Sequence, residues 1–420
     1  MTRGFLRAGH LPTLLAAFFY FDVSFMVWVV LGPLAPYIAD DIGLSATQKG
    51  FLIATPLLAG SFFRPILGTL ADTIGGRRTG LIGLCLTLIP LVIGWQAGNS
   101  IAALFATAAL LGIAGASFAV ALPLASRWYP PQYQGLAMGI AGAGNSGTLL
   151  ATLFAPRLAQ SWGWHGTMAL AAMPVAAVLA LFWFTARDAP VERTITGLQA
   201  YKNLFREKDT FWFCFLYSIT FGGFVGLASF LTLFFHDQYG LSKIGAGDFT
   251  TVAVLCGSFL RPVGGWLADR IGGYRLLVAV LVLAGSAVSG VATLPGVTVA
   301  LALLGITMAM LGMGNGAVFQ LVPQRFPGSV GVITGLVGAA GGLGGFFLPS
   351  VFGLLKDVTG TYAAGLGAFA AIAVIGSLSL VLLRSRWNRE WPHALRLRAG
   401  LAASRSFTPP AELAGSEADV

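Results

Sequence analysis

The sequence predicts an all-α polytopic membrane protein with twelve transmembrane helices in two pseudo-symmetric halves of six. Its 420 residues are 56% hydrophobic and only 10% charged, and the mean hydropathy is +0.80. A soluble globular protein is about one quarter charged, so this composition indicates a chain that lies mostly in lipid. Two nearly identical stretches that begin 197 residues apart, GSFFRPILGTLADTIGG and GSFLRPVGGWLADRIGG, indicate an internal duplication.

Apolar stretches long enough to cross a bilayer, which takes about 20 residues, recur along the whole chain. Six of them, helices one to six, lie at 11–39, 48–71, 79–97, 101–126, 135–161 and 167–186. Helices seven to twelve lie at 210–235, 249–268, 276–294, 299–323, 330–355 and 362–383. The one long polar segment separates the two sets. We therefore predict a first half at 1–186, a cytoplasmic linker at 187–209, a second half at 210–384, and a cytoplasmic tail with the composition of disorder at 385–420.

The lysines and arginines predict the orientation of the chain in the membrane. With the N-terminus in the cytoplasm, nineteen of the 25 basic residues fall on the cytoplasmic side, four on the opposite side and two inside helices. Cytoplasmic segments of membrane proteins carry this excess. The pattern predicts a multi-pass membrane protein with both termini in the cytoplasm. It also explains the net charge of +9 without a nucleic-acid partner.

Several motifs resemble those of a known transporter family. GTLADTIGGRR, at 68–78, resembles the loop motif of the major facilitator superfamily between helices two and three. Within that superfamily the chain resembles the nitrate/nitrite porters, through FFRP and FLRP on helices two and eight. The glycine-rich stretches GIAGAGNSG on helix five and GAAGGLGG on helix eleven match as well. The resemblance covers both halves, and it implies a substrate site near the membrane midplane between them.

Arg64 and Arg261 are the two basic residues inside predicted helices, one in each copy of the repeat. Each precedes an aspartate by eight residues, which places it about 12 Å from the cytoplasmic end of its helix. Of the sixteen acidic residues, only Asp22 lies well inside a helix. Arginine is planar, donates paired hydrogen bonds and stays charged when buried. We therefore expect the two arginines to clamp a small flat anion, with a structural ion pair as the alternative.

The family resemblance implies further substrate contacts. The glycine-rich stretches supply Gly144, Asn145, Gly341 and Gly344, although close helix packing explains the glycines as well. The residues that match aromatic positions lining the family's cavity are Phe25, Phe118, Tyr217, Phe221 and Phe319. Asn315 is a polar counterpart on helix ten, where an interhelical hydrogen bond is an equal alternative. Gate-latching charges are implied at Asp72, Arg77, Arg78 and Asp269.

Asp22 is the candidate for energy coupling. It lies about ten residues into helix one, some 15 Å deep, with no basic neighbour on its own helix. A carboxylate at that depth is costly to keep charged, so Asp22 is expected to bind and release a proton. The alternatives are an ion pair with Arg64 or Arg261, or a hydrogen bond that caps an irregular turn.

These observations predict a monomeric secondary transporter that imports nitrate, with nitrite as a second substrate, by alternating access coupled to protons. A nitrate/nitrite antiporter that extrudes nitrite is an alternative, and so is a carrier of another small anion such as a carboxylate. A membrane enzyme or a receptor-like sensor would need a catalytic constellation or a large soluble domain, and the sequence shows neither. No cofactor or metal site is predicted.

Overall fold

Helices account for nearly all of the computed structural model, which describes residues 3–96, 100–190, 198–327 and 330–401. The first half contains α1 (Leu11–Val29 and Leu31–Ile42), α2 (Ala46–Ile74), α3 (Gly76–Gln96) and α4 (Ile101–Gly115 and Phe118–Ser126). Its last two helices, α5 and α6, run through Pro131–Gly142, a 3-10 turn at Ala143–Ser146, and Gly147–Thr185. The second half contains α7 (Lys208–Tyr239), α8 (Lys243–Ile271), α9 (Gly273–Ala292), α10 (Val297–Arg325), α11 (Val330–Thr359) and α12 (Ala363–Glu390).

Eleven helices of the described chain are long and apolar enough to cross a membrane, and one of them accounts for two predicted spans. Leu136–Thr185 has 50 residues, which at 1.5 Å per residue is more than twice the thickness of a bilayer core. Gly163 breaks this helix with φ 68° and ψ 170°, a backbone conformation that glycine adopts readily. We end α5 at Gly163 and begin α6 there. The twelve predicted spans are therefore all present.

The two halves are joined firmly at one end of the bundle, which we call the closed end. Asp357 on α11 accepts hydrogen bonds from the backbone N–H groups of Ala46 (3.2 Å) and Thr47 (2.8 Å) on α2. Three ion pairs connect the halves at the same end. They are Lys49–Asp237 at 3.0 Å, Arg157–Asp248 at 2.7 Å, and Lys243–Asp40. One layer deeper, the hydroxyl groups of Thr152 on α5 and Thr251 on α8 are 2.8 Å apart.

At the opposite end, the open end, the halves separate. A Cβ atom placed on Gly139 of α5, or on Gly331 or Gly335 of α11, would meet no atom within 4 Å. Within the described ranges, the hydrogen bonds that join the two halves lie at the closed end or at the level of Arg64. Among the described residues, the hydrogen bonds and ion pairs between the halves are therefore concentrated at the closed end.

The described part of the predicted C-terminal tail, 385–401, is largely helical. Helix α12 continues to Glu390 and a short helix follows at His393–Ala399. The indole rings of Trp387 and Trp391 stack 4.4 Å apart, and both donate hydrogen bonds of 3.0 Å to the carboxylate of Asp209. Composition alone could not reveal this contact with a distant residue. The rest of the predicted tail, 402–420, lies outside the described residues.

The linker also contains more structure than its polar composition suggests. A helix at Leu198–Arg206 occupies part of the predicted segment 187–209, and α7 begins at Lys208. Residues 191–197 of the linker are outside the described chain. Asp209 is fully buried, and it also accepts hydrogen bonds from Arg325 at 2.7 Å and Arg386 at 3.2 Å. This carboxylate therefore ties the start of α7 to the ends of α10 and α12.

The contact between α1 and α5 leads to a stability prediction. A Cβ atom on Gly147 would lie 1.9 Å from the carbonyl oxygen of Asp22, so Gly147→Ala must push the two helices apart. Overpacking of this kind costs about 1–3 kcal/mol. We expect a lower midpoint of thermal unfolding for the detergent-solubilised variant. Gly139→Ala, on the same helix in open space, should melt no earlier than the wild type, and equal midpoints for both variants would contradict the prediction.

Candidate functional site

Arg64 lies in the middle of the bundle with its side chain almost fully enclosed, at 1% exposure. Three aromatic rings surround its guanidinium carbon. The distances from Cζ to the ring centres are 5.1 Å for Trp28, 5.3 Å for Phe221 and 5.6 Å for Phe118. A cation within about 6 Å of an aromatic ring centre is attracted by the electrons of its face. The rings thus compensate part of the charge that burial would otherwise make costly.

Two backbone carbonyl groups hold Arg64 in place. Its Nε donates a 3.0 Å hydrogen bond to the carbonyl of Gly115, and Nη1 donates to the carbonyl of Gly338 on α11. The first acceptor is accessible because α4 is interrupted after Gly115, and the N–H of Ala119 donates to Ala116 instead. The second bond crosses between the halves. The remaining nitrogen, Nη2, is buried and has no hydrogen-bond partner within the described chain.

Arg261 on α8 faces the same region from the other half. Its Cζ lies 6.0 Å from the ring centres of both Phe118 and Phe319. The two guanidinium groups are close enough for their positive charges to repel each other. Both also interact electrostatically with the hydroxyl group of Tyr217. The Nη1 of Arg261 is buried without a hydrogen-bond partner in the described part of the chain. No salt bridge among the described residues neutralises either arginine.

The five predicted aromatic residues lie together around these arginines. Tyr217 and Phe221 are parallel with ring centres 5.0 Å apart, and Phe319 lies edge-on to Tyr217 at 4.9 Å. Phe25 contacts Phe221 at 6.3 Å, and Phe118 contacts Phe319 at 6.1 Å. The structure therefore brings side chains from α1, α4, α7 and α10 into one aromatic wall.

Two residues of this wall, Phe21 and Trp28, were missed from the sequence. Phe21 contacts Phe25 at 5.4 Å and Phe118 at 5.7 Å, and Trp28 contacts Phe25 at 5.1 Å. Their spacing from Phe25, four residues before and three after, places all three on one face of α1. This spacing could have indicated from the sequence that the three residues share a face. Because α1 is apolar on every side, however, the spacing alone does not distinguish that face from the others.

The glycine-rich stretches are divided between the site and helix packing. Gly341 lies against the ring of Tyr217, where a Cβ atom would come within 2.5 Å. Gly144 packs on the backbone of α1 and Gly344 packs on Ser218 of α7, with Cβ distances of 2.9 Å and 2.4 Å to their nearest atoms. Gly341 therefore shapes the aromatic wall directly, whereas Gly144 and Gly344 allow helices to approach each other.

The two predicted asparagines are buried in different surroundings. In the amide orientation that suits its neighbours, Asn145 donates to the carbonyls of Ala143 (3.2 Å) and Gly142 (3.3 Å) in its own 3-10 turn. Asn315 is 1% exposed, and its Oδ1 has no hydrogen-bond partner in the described structure. The adjacent Gly316 closely approaches the backbone of Arg261. Asn315 therefore lies close to Arg261, whereas the side-chain amide of Asn145 forms its hydrogen bonds within its own 3-10 turn.

Asp22 is buried on α1 and interacts with α5 rather than with an arginine. Its Oδ1 accepts a 2.6 Å hydrogen bond from the hydroxyl of Ser146, at the end of the 3-10 turn. The backbone N–H of Gly147 also donates a hydrogen bond to this carboxylate. Asp22 therefore caps the irregular turn of α5, as one of the alternatives from the sequence proposed.

The predicted gate residues lie at the open end. Asp72 on α2 forms a 2.6 Å salt bridge with Arg127, which follows α4 in the same half. Arg77 donates to the carbonyl of Trp183 at 2.8 Å, and Arg78 and Asp269 are exposed. The Asp72 pair therefore joins the end of α2 to the chain that follows α4 within the first half.

The arrangement can bind a small anion. Two guanidinium groups face one region lined by aromatic rings, and within the described chain each retains a buried N–H group without an acceptor. Positive charge of this kind in a membrane protein normally faces the interior of the bundle and finds a partner there.

Comparisons with known proteins agree with the fold. The family model described as Major Facilitator Superfamily matches residues 14–349. Among solved structures, a D-xylose–proton symporter superimposes with a TM-score of 0.71 at 16% identity, covering 89% of this chain and 96% of the other. A bacterial homologue of the human lysosomal transporter Spinster, in an inward-facing and occupied conformation, gives 0.69 at 22% identity, covering 90% and 98%.

Curated relatives are more similar in sequence. "Probable nitrate/nitrite transporter NarK2" of Mycobacterium tuberculosis is 38% identical over 87% of this chain and 95% of its own length. "Nitrite extrusion protein" of Bacillus subtilis is 36% identical over 89% and 94%, and "Probable nitrate transporter NarT" of Staphylococcus carnosus is 34% identical over 87% and 94%. The chain is therefore a multi-pass membrane protein of the major facilitator superfamily, and within it belongs to the nitrate/nitrite porter family.

Proposed function

We propose that this protein is a secondary transporter of nitrate, with nitrite as a second substrate, in which Arg64 and Arg261 hold the anion between the two halves. The names of its relatives support the substrate class. The observation that carries the proposal is the pair of buried guanidinium N–H groups without acceptors, Nη2 of Arg64 and Nη1 of Arg261. An unsatisfied buried donor costs about 1–3 kcal/mol, and a bound oxyanion would remove that cost at both positions.

Planar oxyanions suit this site better than larger anions. A guanidinium fork donates parallel hydrogen bonds to two oxygens of a flat anion, and the flat faces of nitrate can lie against aromatic rings. Tyr217 contacts both Phe221 and Phe319, so these rings form a continuous aromatic surface beside the arginines. A carboxylate would satisfy the arginines equally well but must also accommodate its organic tail. The enclosed aromatic wall therefore favours nitrate and nitrite.

Transport proceeds in this proposal by alternating access. The open end carries the basic Arg77, Arg78 and Arg127, and the excess of lysine and arginine assigns it to the cytoplasm. This assignment puts both termini in the cytoplasm of a bacterial-type cell. The structure then represents the inward-open state, and the ion pairs at the closed end must break for the anion to enter from outside. The halves rock about the arginines while the anion stays between them.

Proton-coupled import is the proposed direction and driving force. A monovalent anion that enters a cell with a negative interior moves against the potential, and two accompanying protons would make each cycle net positive. Asp22 is the acidic side chain at the right depth for that role. The second candidate is exchange of nitrate for internal nitrite. The hydrogen bond from Ser146 to Asp22 and the relative named for nitrite extrusion favour this alternative.

The clamp predicts that charge alone will not sustain transport. Arg64→Lys and Arg261→Lys keep a cation but lose the planar fork, so each should reduce nitrate uptake at least about tenfold. Uptake of labelled nitrate into proteoliposomes measures this loss, after detergent-solubilised variants are checked for monodisperse elution. Arg270→Lys, an exposed arginine on the same helix as Arg261, serves as the control and should stay within about twofold of wild type. Near-normal uptake by either clamp variant would contradict direct substrate binding by that arginine.

Alternating access predicts that a covalent link at the closed end will stop transport. With Cys85, Cys214 and Cys256 replaced by alanine, the pair Thr152→Cys and Thr251→Cys joins α5 to α8 across the halves. Oxidation should abolish uptake and reduction should restore it. The matched control is Thr232→Cys with Thr250→Cys, whose hydroxyls are 3.0 Å apart within the second half. Full uptake by the crosslinked inter-half pair would rule out opening at this end.

Proton coupling predicts separable effects of Asp22→Asn. The variant keeps the size of the side chain but cannot titrate, so uptake driven by an imposed pH gradient should be lost while nitrate/nitrite exchange without a gradient continues. Both assays use the same proteoliposomes, with wild type as the reference. Retention of gradient-driven uptake would remove Asp22 from the proton path and leave it as the cap of the α5 turn.

A further inference from the structure

Trp28 has the shortest ring contact with Arg64. Its ring centre is 5.1 Å from the guanidinium carbon, compared with 5.3 Å for Phe221 and 5.6 Å for Phe118. Indole is also the aromatic side chain that attracts a cation most strongly. Trp28 is completely buried, so water does not weaken this attraction.

The surroundings of Trp28 fix the orientation of its ring. Its Nε1 donates a 2.7 Å hydrogen bond to the carbonyl of Pro56, which lies two turns before Arg64 on α2. A Cβ atom would come within 2.9 Å of the indole at Gly60 and within 2.3 Å at Gly115. The ring is therefore held against α2 and α4 together. Gly115 is also the residue whose carbonyl accepts the hydrogen bond from Nε of Arg64.

The internal repeat places no aromatic ring at the position equivalent to Trp28, and Arg261 has the hydroxyl group of Tyr217 as a polar neighbour instead. The motif GLS, at 43–45 and again at 240–242, has the same 197-residue offset as Arg64 and Arg261. That offset places Val225 of α7 at the position of Trp28. Val225 is buried and lies against Gly345 on α11. Arg261 has two rings at 6.0 Å, whereas Arg64 has three closer ones.

We propose that Trp28 is a positioning residue for Arg64, and that it makes Arg64 the fixed member of the clamp while Arg261 adjusts to the anion. The proposal rests on the function proposed above and assigns unequal tasks to the two arginines. Trp28 presents its face to the guanidinium, which together with the carbonyls of Gly115 and Gly338 leaves Nη2 for the substrate. Because the orientation of Arg64 is set before the anion arrives, less ordering is needed on binding.

The experiment compares two replacements of Trp28 that differ in the presence of an aromatic face. Trp28→Phe keeps a ring beside Arg64, and Trp28→Leu fills part of the space with an aliphatic side chain. The kinetic constants for nitrate uptake are measured in proteoliposomes, and nitrate binding to the purified variants is measured by calorimetry. Trp164→Leu is the control, since it removes another buried tryptophan whose Nε1 is hydrogen-bonded, at 2.8 Å to Asp41, away from the arginines.

We expect Trp28→Leu to raise the KM and the Kd for nitrate about 5- to 30-fold, the range that a desolvated cation–π contact implies. Trp28→Phe should stay within about threefold of wild type, and Trp164→Leu should leave both constants unchanged. If Trp28→Leu does not accumulate as folded protein, Trp28→Met provides an unbranched side chain without an aromatic face.

Two results would overturn the proposal. One is an equal KM for the phenylalanine and leucine variants, which would show that the ring face is immaterial. The other is a loss of maximal rate at unchanged KM, which would indicate a purely structural role. Both differ from failure of the underlying function, in which the wild-type protein itself shows no nitrate binding or uptake.

Discussion

Positive charge enclosed in the membrane without a neutralising carboxylate is the constraint on which the centre of this protein depends. An arginine cannot lose its proton under ordinary conditions, so the surrounding structure must stabilise the cation whether or not an anion is bound. Around Arg64 this is achieved with two carbonyl groups and three aromatic faces. These partners lower the cost of the charge without cancelling it. Among the described residues, the Nη2 group of Arg64 is left without a hydrogen-bond acceptor.

Hydrophobic periodicity and charge placement predicted the coarse architecture, because each depends on local composition. The twelve spans and the duplicated arginines follow from the sequence alone. The partners of those arginines do not, because they come from helices far apart in the chain. Gly115 accepts a hydrogen bond from Arg64 because α4 breaks beside it, and Gly338 does so from the other half. Composition likewise does not reveal the hydrogen bonds that Trp387 and Trp391 donate to Asp209.

The two duplicated halves differ in the residues around the buried arginines and in the ion pairs at the open end. Arg64 and Arg261 occupy equivalent positions, yet Trp28 has a valine as its counterpart. Asp72 forms its salt bridge with Arg127, whereas in the second half Arg325 pairs with Asp209 at the start of α7. The repeat thus preserves helix geometry and the pair of cations. Each half stabilises its own open end with a different set of contacts.

The buried carboxylate of Asp209 sets an order for the assembly of the second half. It lies in the first turn of α7, but two of its partners, Trp387 near the end of α12 and Trp391 just after it, come 178 and 182 residues later. During synthesis this charge emerges before the groups that will enclose it. Arg325 can reach Asp209 once α10 has been made, and the enclosure is complete only with α12. A chain that stops before Trp387 therefore retains most of α12 but lacks two of the groups that donate hydrogen bonds to this buried carboxylate.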